Sequence, residues 1–369
     1  MPFLPSPHSF LRALGGCAML PGGGAAMSES ARNGIPVSLR MPCRNMPNAQ
    51  MQAVLDELAA LGAKPIDILS AKQARDQPTP AAAVRSLLRK QGRSLDPEAV
   101  HQVEDRVIAG ADGELPVRIY KPQANGVMPV IVYFHGGGFV IADLDAYDSS
   151  ARALANASGA IVVAVHYRQA PEHKFPAAHD DAFAAYRWTL ANAESLQGDP
   201  TRVAVAGESA GGNLAASVAI RARDERIQQP LHQALIYPMV NCAFDTPSQQ
   251  QNYDARPLST PMLSWFYEKY LAGPADSADP MFSILRTPDL SELAPATVIT
   301  ADIDPLRSEG EAYALRLQHA GVAVDYTNYE GVTHEFFGMG AAVDSARNAV
   351  RQVAANLARA FEAKTPTLH

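Results

Sequence analysis

Gly207-Glu208-Ser209-Ala210-Gly211 sets a serine between two glycines in the pattern G-x-S-x-G. An apolar run over residues 203–206 precedes it and a helical stretch over 210–223 follows, so the serine falls on a strand-to-helix turn. Such a turn is sharp and strained, and small residues two positions either side let strand and helix approach. It lifts the hydroxyl off a sheet and sets it at a helix N-terminus, where negative charge is favoured. A serine hydroxyl is a poor nucleophile, so it requires a base, and the base requires an orienting carboxylate. His334 stands in the glycine-bearing loop Tyr329-Glu330-Gly331-Val332-Thr333-His334, after the last strand-like run and before the final helix. The acid is expected in the loop after the preceding strand, where Asp302 and Asp304 both occur.

A carbonyl that becomes tetrahedral also needs its new charge stabilised, and backbone N–H groups do this without reorganising. His135-Gly136-Gly137-Gly138-Phe139 directly follows a strand-like run over 130–134, and its glycines leave amides open with no side chain in the way. No Gly-Lys-Ser/Thr follows, so the loop is not a phosphate cradle. His334-Glu335 is not a zinc-protease signature, because the residue four after His334 is Gly338. Asp180-Asp181 read as charges at a helix N-terminus. His166, His173 and His179 share no ligand spacing. No metal, dinucleotide or other cofactor is expected.

The elements that must position these groups follow from hydrophobic periodicity. Met51, Val54, Leu55 and Leu58 mark one buried helix face, and Thr79-Pro80 opens a second helix through Val84, Leu87 and Leu88. Two strands, 103–108 and 116–120, flank the turn Gly110-Ala111-Asp112-Gly113. Continuous apolar runs then recur at 130–134, 160–165, 203–206, 234–237, 296–300 and 322–326, which read as strands buried on both faces. Helical stretches at 149–157, 178–193, 210–223, 308–320 and 344–363 separate or follow them. The fold class is therefore α/β, a mostly parallel sheet of eight strands covered by helices. One interval, 240–295, holds a polar stretch and a helix from Thr260-Pro261 carrying Met262, Trp265, Phe266 and Tyr270. An insertion of that length suits a lid over a site at the strands' carboxyl ends.

Composition bounds the function. The 369 residues are 47% hydrophobic and 19% charged, with 31 Lys+Arg against 38 Asp+Glu and a net charge of −7. That composition supplies a large core and no basic run for phosphates, so nucleic acid is not expected as a partner. The three cysteines, Cys17, Cys43 and Cys242, are too scattered for a disulfide framework or a metal knuckle, and a reduced, cytoplasmic setting follows. Every apolar stretch is interrupted before it could span a bilayer. Leu14-Gly15-Gly16-Cys17 resembles a lipoprotein cleavage site, but Arg12 and the run Pro21-Gly22-Gly23-Gly24 argue against a secretory signal. Residues 1–45 are expected to be a disordered leader, or the start to be placed too early, with Met27, Met41 or Met46 as the true one.

The chain resembles the hormone-sensitive-lipase-like carboxylesterases, family IV, of the α/β-hydrolase fold, whose chain order is Ser, Asp, His. The resemblance runs from about Met51 to Phe361 and includes Tyr167-Arg168-Gln169-Ala170-Pro171-Glu172-His173-Lys174-Phe175-Pro176-Ala177-Ala178 and Asp304-Pro305-Leu306-Arg307. It implies Ser209 as nucleophile, Asp304 rather than Asp302 as acid, and His334 as base. It implies an oxyanion hole from the amides of Gly137, Gly138 and Ala210, with His135 holding the loop, and a helical cap. The cap is expected from residues 46–100 and part of 242–290, the catalytic domain from 101–369, and pocket walls from Phe139, Trp265 and Phe266. Glu208, Glu335, Ser308 and Ala142 depart from the family's pattern, Glu335 and Ala142 standing where glycine is usual. The expected partner is a small ester of short to medium chain, with a homodimer compatible. A ligand-binding receptor, a lyase or an amidase of the same fold are the alternatives.

Overall fold

In the computed structural model, the described residues are 45–124 and 126–363, so all of the expected leader but Asn45, with Cys17 and Cys43, lies outside them. The described residues open on three α-helices. In α1 (Ala49–Ala60) the Asn48 side chain caps the Met51 amide at 2.9 Å, and in α3 (Pro80–Lys90) Thr79 caps Ala82 at 3.1 Å, with proline at the first turn. Between them lies α2 (Ala71–Arg75), closed by a Ser70/Gln73 capping box. Its five residues bury only Ala71 and Ala74, too short a stripe to announce a helix in the sequence. Glu57 on α1 accepts from Ser86 and Lys90 on α3, both at 2.6 Å, which fastens the pair.

Eight strands follow: β1 (Gln102–Gly110), β2 (Gly113–Lys121), β3 (Met128–Phe134), β4 (Ile161–Val165), β5 (Gly198–Glu208), β6 (Gln233–Ile236), β7 (Ala296–Ile303) and β8 (Val324–Thr333). They form one sheet in the order β1-β2-β4-β3-β5-β6-β7-β8. The β1–β2 hairpin and the β2–β4 pair are antiparallel, and every later pair is parallel. Parallel neighbours need crossovers, and α4 (Asp148–Ser158), α5 (Ala177–Asn192) and α6 (Ala210–Asp224) supply the first three. The β6–β7 connection carries the short α7 (Pro247–Gln251), α8 (Thr260–Tyr270) and α9 (Pro274–Ala278). Then α10 (Arg307–His319) crosses to β8, and α11 (Asp344–Glu362) ends the fold.

The continuous apolar runs have a plain cause. Successive residues enter opposite layers: Val132, Val163, Val205 and Val298 join one core, whereas Ile131, Val162, Ala204 and Ile299 join the other. Two of the sequence expectations need correction. The last strand is not buried on both faces; β8 is an edge strand, starts two residues later than the apolar run, and keeps most of its side chains partly exposed. Asp181 is no plain helix-end charge either. It is buried and takes the Arg168 guanidinium at 2.8 Å and the Arg168 amide at 3.0 Å, because a carboxylate drawn into the core must be paired. The polar stretch around Gln249 folds as α7 through a second capping box, from Thr246.

Helix α6 begins where β5 stops, and its first turn presses on the end of β3. A β-carbon on Gly211 would lie 2.0 Å from the Phe134 carbonyl oxygen and 2.6 Å from that of His135. These are backbone atoms at the head of the glycine loop and have no room to yield. Gly211→Ala is therefore expected to destabilise the fold by about 3 kcal/mol or more, read as a lowered thermal unfolding midpoint. A midpoint within about 2 °C of wild type would contradict this packing.

Candidate active site

Ser209 sits at φ 57°, ψ −117°, between the last residue of β5 and the first of α6. Two backbone contacts hold the strained turn in place: the Ser209 amide donates to the Ile236 carbonyl at 2.9 Å, and its carbonyl accepts from Met239 at 3.1 Å. His334, at the end of β8, places Nε2 2.9 Å from the Ser209 hydroxyl oxygen and Nδ1 2.6 Å from Asp304 Oδ2. An ionised carboxylate can only accept, so the Nδ1 proton points to Asp304 and Nε2 is left to accept from Ser209. Asp304 is fully buried, and its other oxygen takes the Leu306 amide at 2.8 Å. Asp302, the other carboxylate of the loop, faces away, paired with Arg307 at 2.9 Å and bonded by Asn45. The loop pattern alone left this choice between the two aspartates open and the family resemblance implied Asp304, which is the one that meets His334.

The glycine loop lies across from the serine. Gly137 and Gly138 both have positive φ, 99° and 58°, and a β-carbon on Gly138 would strike the Phe266 ring at 2.2 Å. Among the described residues no protein acceptor takes the Gly137 or Gly138 amide, and the Ala210 amide is one of the first four of a helix, which lack an intrahelical partner. Tyr167 donates to the His135 carbonyl at 2.8 Å, and His135 Nδ1 donates to the Gly136 carbonyl at 2.7 Å. Burial pushes His135 down to about 4, so it is a neutral brace rather than a proton carrier. Arg75, on α2, donates to the carbonyls of Val140 and Ala170, both at 2.8 Å, and pairs with Glu172. It thereby ties the N-terminal helices to the loop. Nothing in the sequence around Arg75 announces that contact.

A cavity of about 620 Å³ opens over these groups. Leu55, Leu58, Ile66, Leu258, Met262 and Phe266 give it apolar walls, drawn from both the N-terminal helices and the β6–β7 insertion. Of the three pocket residues expected from the sequence, Phe266 is in the wall and the other two are not. Phe139 turns at φ 64° to stack on Tyr270, ring centres 4.1 Å apart, and Trp265 spends its indole N–H on the Leu69 carbonyl at 2.9 Å.

Three carboxylates surround one imidazole. Glu208 is buried beneath Ser209 and accepts short hydrogen bonds from the hydroxyls of Tyr133 and Tyr237. Burial raises it to about 7 in spite of those donors. For His334, burial alone would lower the imidazole, but Asp304, joined by Glu335 and Glu208, outweighs it and leaves the ring above its ordinary value. The tyrosines that carry this arrangement stand at strand ends with no motif to mark them.

Residues 131–338 match the protein family described as having the alpha/beta hydrolase fold. The chain belongs to the α/β-hydrolase family. Within it the motifs place the chain among the hormone-sensitive-lipase-like carboxylesterases. It is 38% identical over 287 residues to the ethyl acetate hydrolase of Pseudomonas putida, covering 76% of this chain and 88% of that one. With the carboxylesterase NlhH of Mycobacterium tuberculosis it shares 41% over 268 residues, 71% and 84% of the two chains. Among solved structures it is similar to the hyperthermophilic esterase from Pyrobaculum calidifontis, with 39% identity, a TM-score of 0.76, and 85% and 99% of the chains covered. A thermostable esterase from Pseudomonas putida superposes with a TM-score of 0.78 at 32% identity, over 86% and 98% of the chains.

In this α/β-hydrolase the pairing of His334 with Asp304 has a consequence that can be read without substrate. The imidazole is expected to titrate above the ordinary value of about 6.5. Asp304→Asn removes the largest of the influences that raise it, so the titration should fall to that value or below, followed by ring-nitrogen NMR. An unchanged titration in the variant would show that Asp304 does not govern the base.

Proposed function

We propose that the chain is a serine carboxylesterase acting on small, short- to medium-chain esters. The observation that carries this reading is the unbroken relay Asp304–His334–Ser209, 2.6 and 2.9 Å between heavy atoms, facing unpaired amides at the floor of an apolar cavity. Ser209 Oγ attacks the ester carbonyl carbon as its proton passes to His334 Nε2. The oxygen that gains charge is received by the amides of Gly137, Gly138 and Ala210. As the tetrahedral species collapses, His334 returns the proton to the leaving alcohol, and an acyl group remains on Ser209. Water, deprotonated by His334, then releases the carboxylic acid and regenerates the serine. Asp304 holds the imidazole in the required tautomer and offsets its positive charge in both half-reactions.

In this reading residues 46–100, with part of 242–290, form a cap over a catalytic domain made of 101–369. No helix among the described residues is long and apolar enough to cross a membrane, and a cavity of about 620 Å³ walled by two segments of the chain favours monomeric esters over a lipid surface. We place the enzyme in the cytoplasm, on the scarcity of cysteines. A homodimer stays compatible with β1 and β8, the edge strands among the described residues, along which a second sheet could pair. The relatives called esterases and ethyl acetate hydrolase support the ester class. A receptor that binds without turnover has no use for a base hydrogen-bonded to the nucleophile.

Purified protein is expected to release p-nitrophenol from the butyrate ester, and Ser209→Ala to cut that rate by at least about a thousandfold. Wild-type turnover in the variant would refute the mechanism. Across a series of p-nitrophenyl esters from acetate to palmitate, kcat/KM should peak among the short and medium chains. A maximum at palmitate would refute the substrate class.

A further inference from the structure

Glu335 takes no part in the mechanism above, yet it stands in the wall of the same cavity. Its backbone is left-handed, φ 70° and ψ 9°, a conformation glycine takes freely and a residue with a β-carbon takes at a cost. The chain keeps a carboxylate at this point. That side chain is also aimed: the Tyr147 hydroxyl donates to Oε1 at 2.8 Å. Tyr147 is itself fixed, because its hydroxyl fills the place where a β-carbon on Gly136 would lie, 2.2 Å away, and its ring packs 5.8 Å from that of His135.

One oxygen of the Glu335 carboxylate is thus anchored, and among the described residues no second protein donor reaches the group. The ionisable side chains that share its electrostatic surroundings include His334, Tyr147, Asp304, Glu208, Tyr237 and Tyr167. The three hydroxyls donate to Glu335 Oε1, Glu208 and the His135 carbonyl, and the His334 Nδ1 proton goes to Asp304, so none is given to the remaining oxygen. A partly buried carboxylate oxygen without a donor is stabilised by whatever molecule enters the cavity with one. The leaving alcohol must take its proton from His334 Nε2, so the alcohol half of a bound ester lies beside His334. Glu335 is the next residue along.

We infer that the Glu335 carboxylate, held in the cavity wall by Tyr147, recognises a hydrogen-bond donor on the alcohol half of the ester, a hydroxyl or a protonated amine on a short alkyl chain. This rests on the esterase reading. An apolar alcohol of the same size would desolvate the carboxylate without replacing its lost water, which is the form of discrimination polar sites make best.

Two matched pairs of butyrate esters test it: 2-hydroxyethyl against propyl, and 2-(dimethylamino)ethyl against 3-methylbutyl, with kcat/KM followed by pH-stat on the full chain. The ratio within each pair cancels any general loss of activity. In wild type each ratio, donor over apolar, is expected to exceed that of Glu335→Gly by about tenfold, the worth of one charge-assisted hydrogen bond. Glycine suits the left-handed backbone, so this variant keeps the fold. Glu335→Gln, which retains an acceptor but no charge, should lose the amine preference and keep part of the hydroxyl preference. Equal ratios in wild type and Glu335→Gly for both pairs, with p-nitrophenyl butyrate still hydrolysed, would overturn this inference alone. No turnover of any ester, p-nitrophenyl butyrate included, would overturn the esterase reading and this one with it.

Discussion

At Gly211 the first turn of α6 meets the end of β3 with no space for a side chain, and three parts of the site are placed by that contact. The helix N-terminus comes under the serine, the serine is lifted off the end of β5, and the glycine loop that continues β3 is brought opposite both. Neighbouring parallel strands end side by side, so β7 and β8 deliver Asp304 and His334 to the same edge of the sheet. The sheet thus fixes the relay to within hydrogen-bonding distance, and loops need only carry residues a short way beyond strand ends.

The electrostatics follow from the burial of the residues at that edge, Ser209, Asp304 and His334 among them. An imidazole in that place would shed its proton on burial alone, and the surrounding carboxylates reverse the direction. Asp304 does so by contact. Glu208 contributes from beneath the serine, and its own charge is tempered by burial and steadied by the hydroxyls of Tyr133 and Tyr237. Those tyrosines are held well above the ordinary phenol range, so they remain donors. Both oxygens of the Glu208 carboxylate are therefore met by a donor, as a buried carboxylate must be if it is not to weaken the fold.

Much of this was legible in the residues themselves. The alternation of apolar runs and helical stretches reproduces the sheet because parallel strands must be apolar on both faces, and G-x-S-x-G between a strand and a helix has few other readings. The loops after the last two strands pointed to His334 and to Asp302 or Asp304, and only the family resemblance chose Asp304. What escaped was set by contacts across long separations. Trp265 and Phe139 carry aromatic rings near the site in sequence terms, but a single backbone carbonyl and a single stacking partner turn each of them away from the cavity. Glu208 and Glu335 were visible as unusual residues, but only Tyr133, Tyr237 and Tyr147, each distant along the chain, show what holds them. The edge position of β8 depends on the strand order of the whole sheet, which no local pattern encodes.

Arg75 joins the N-terminal helices to more than the cavity wall they help to line. Its guanidinium grips the carbonyls of Val140 and Ala170, the first of which lies two residues past Gly138. Any movement of those helices that widens the entrance must either break these bonds or pull on the strand of backbone that carries the glycine amides. The position of those helices and the position of the amides are in this way coupled through one side chain.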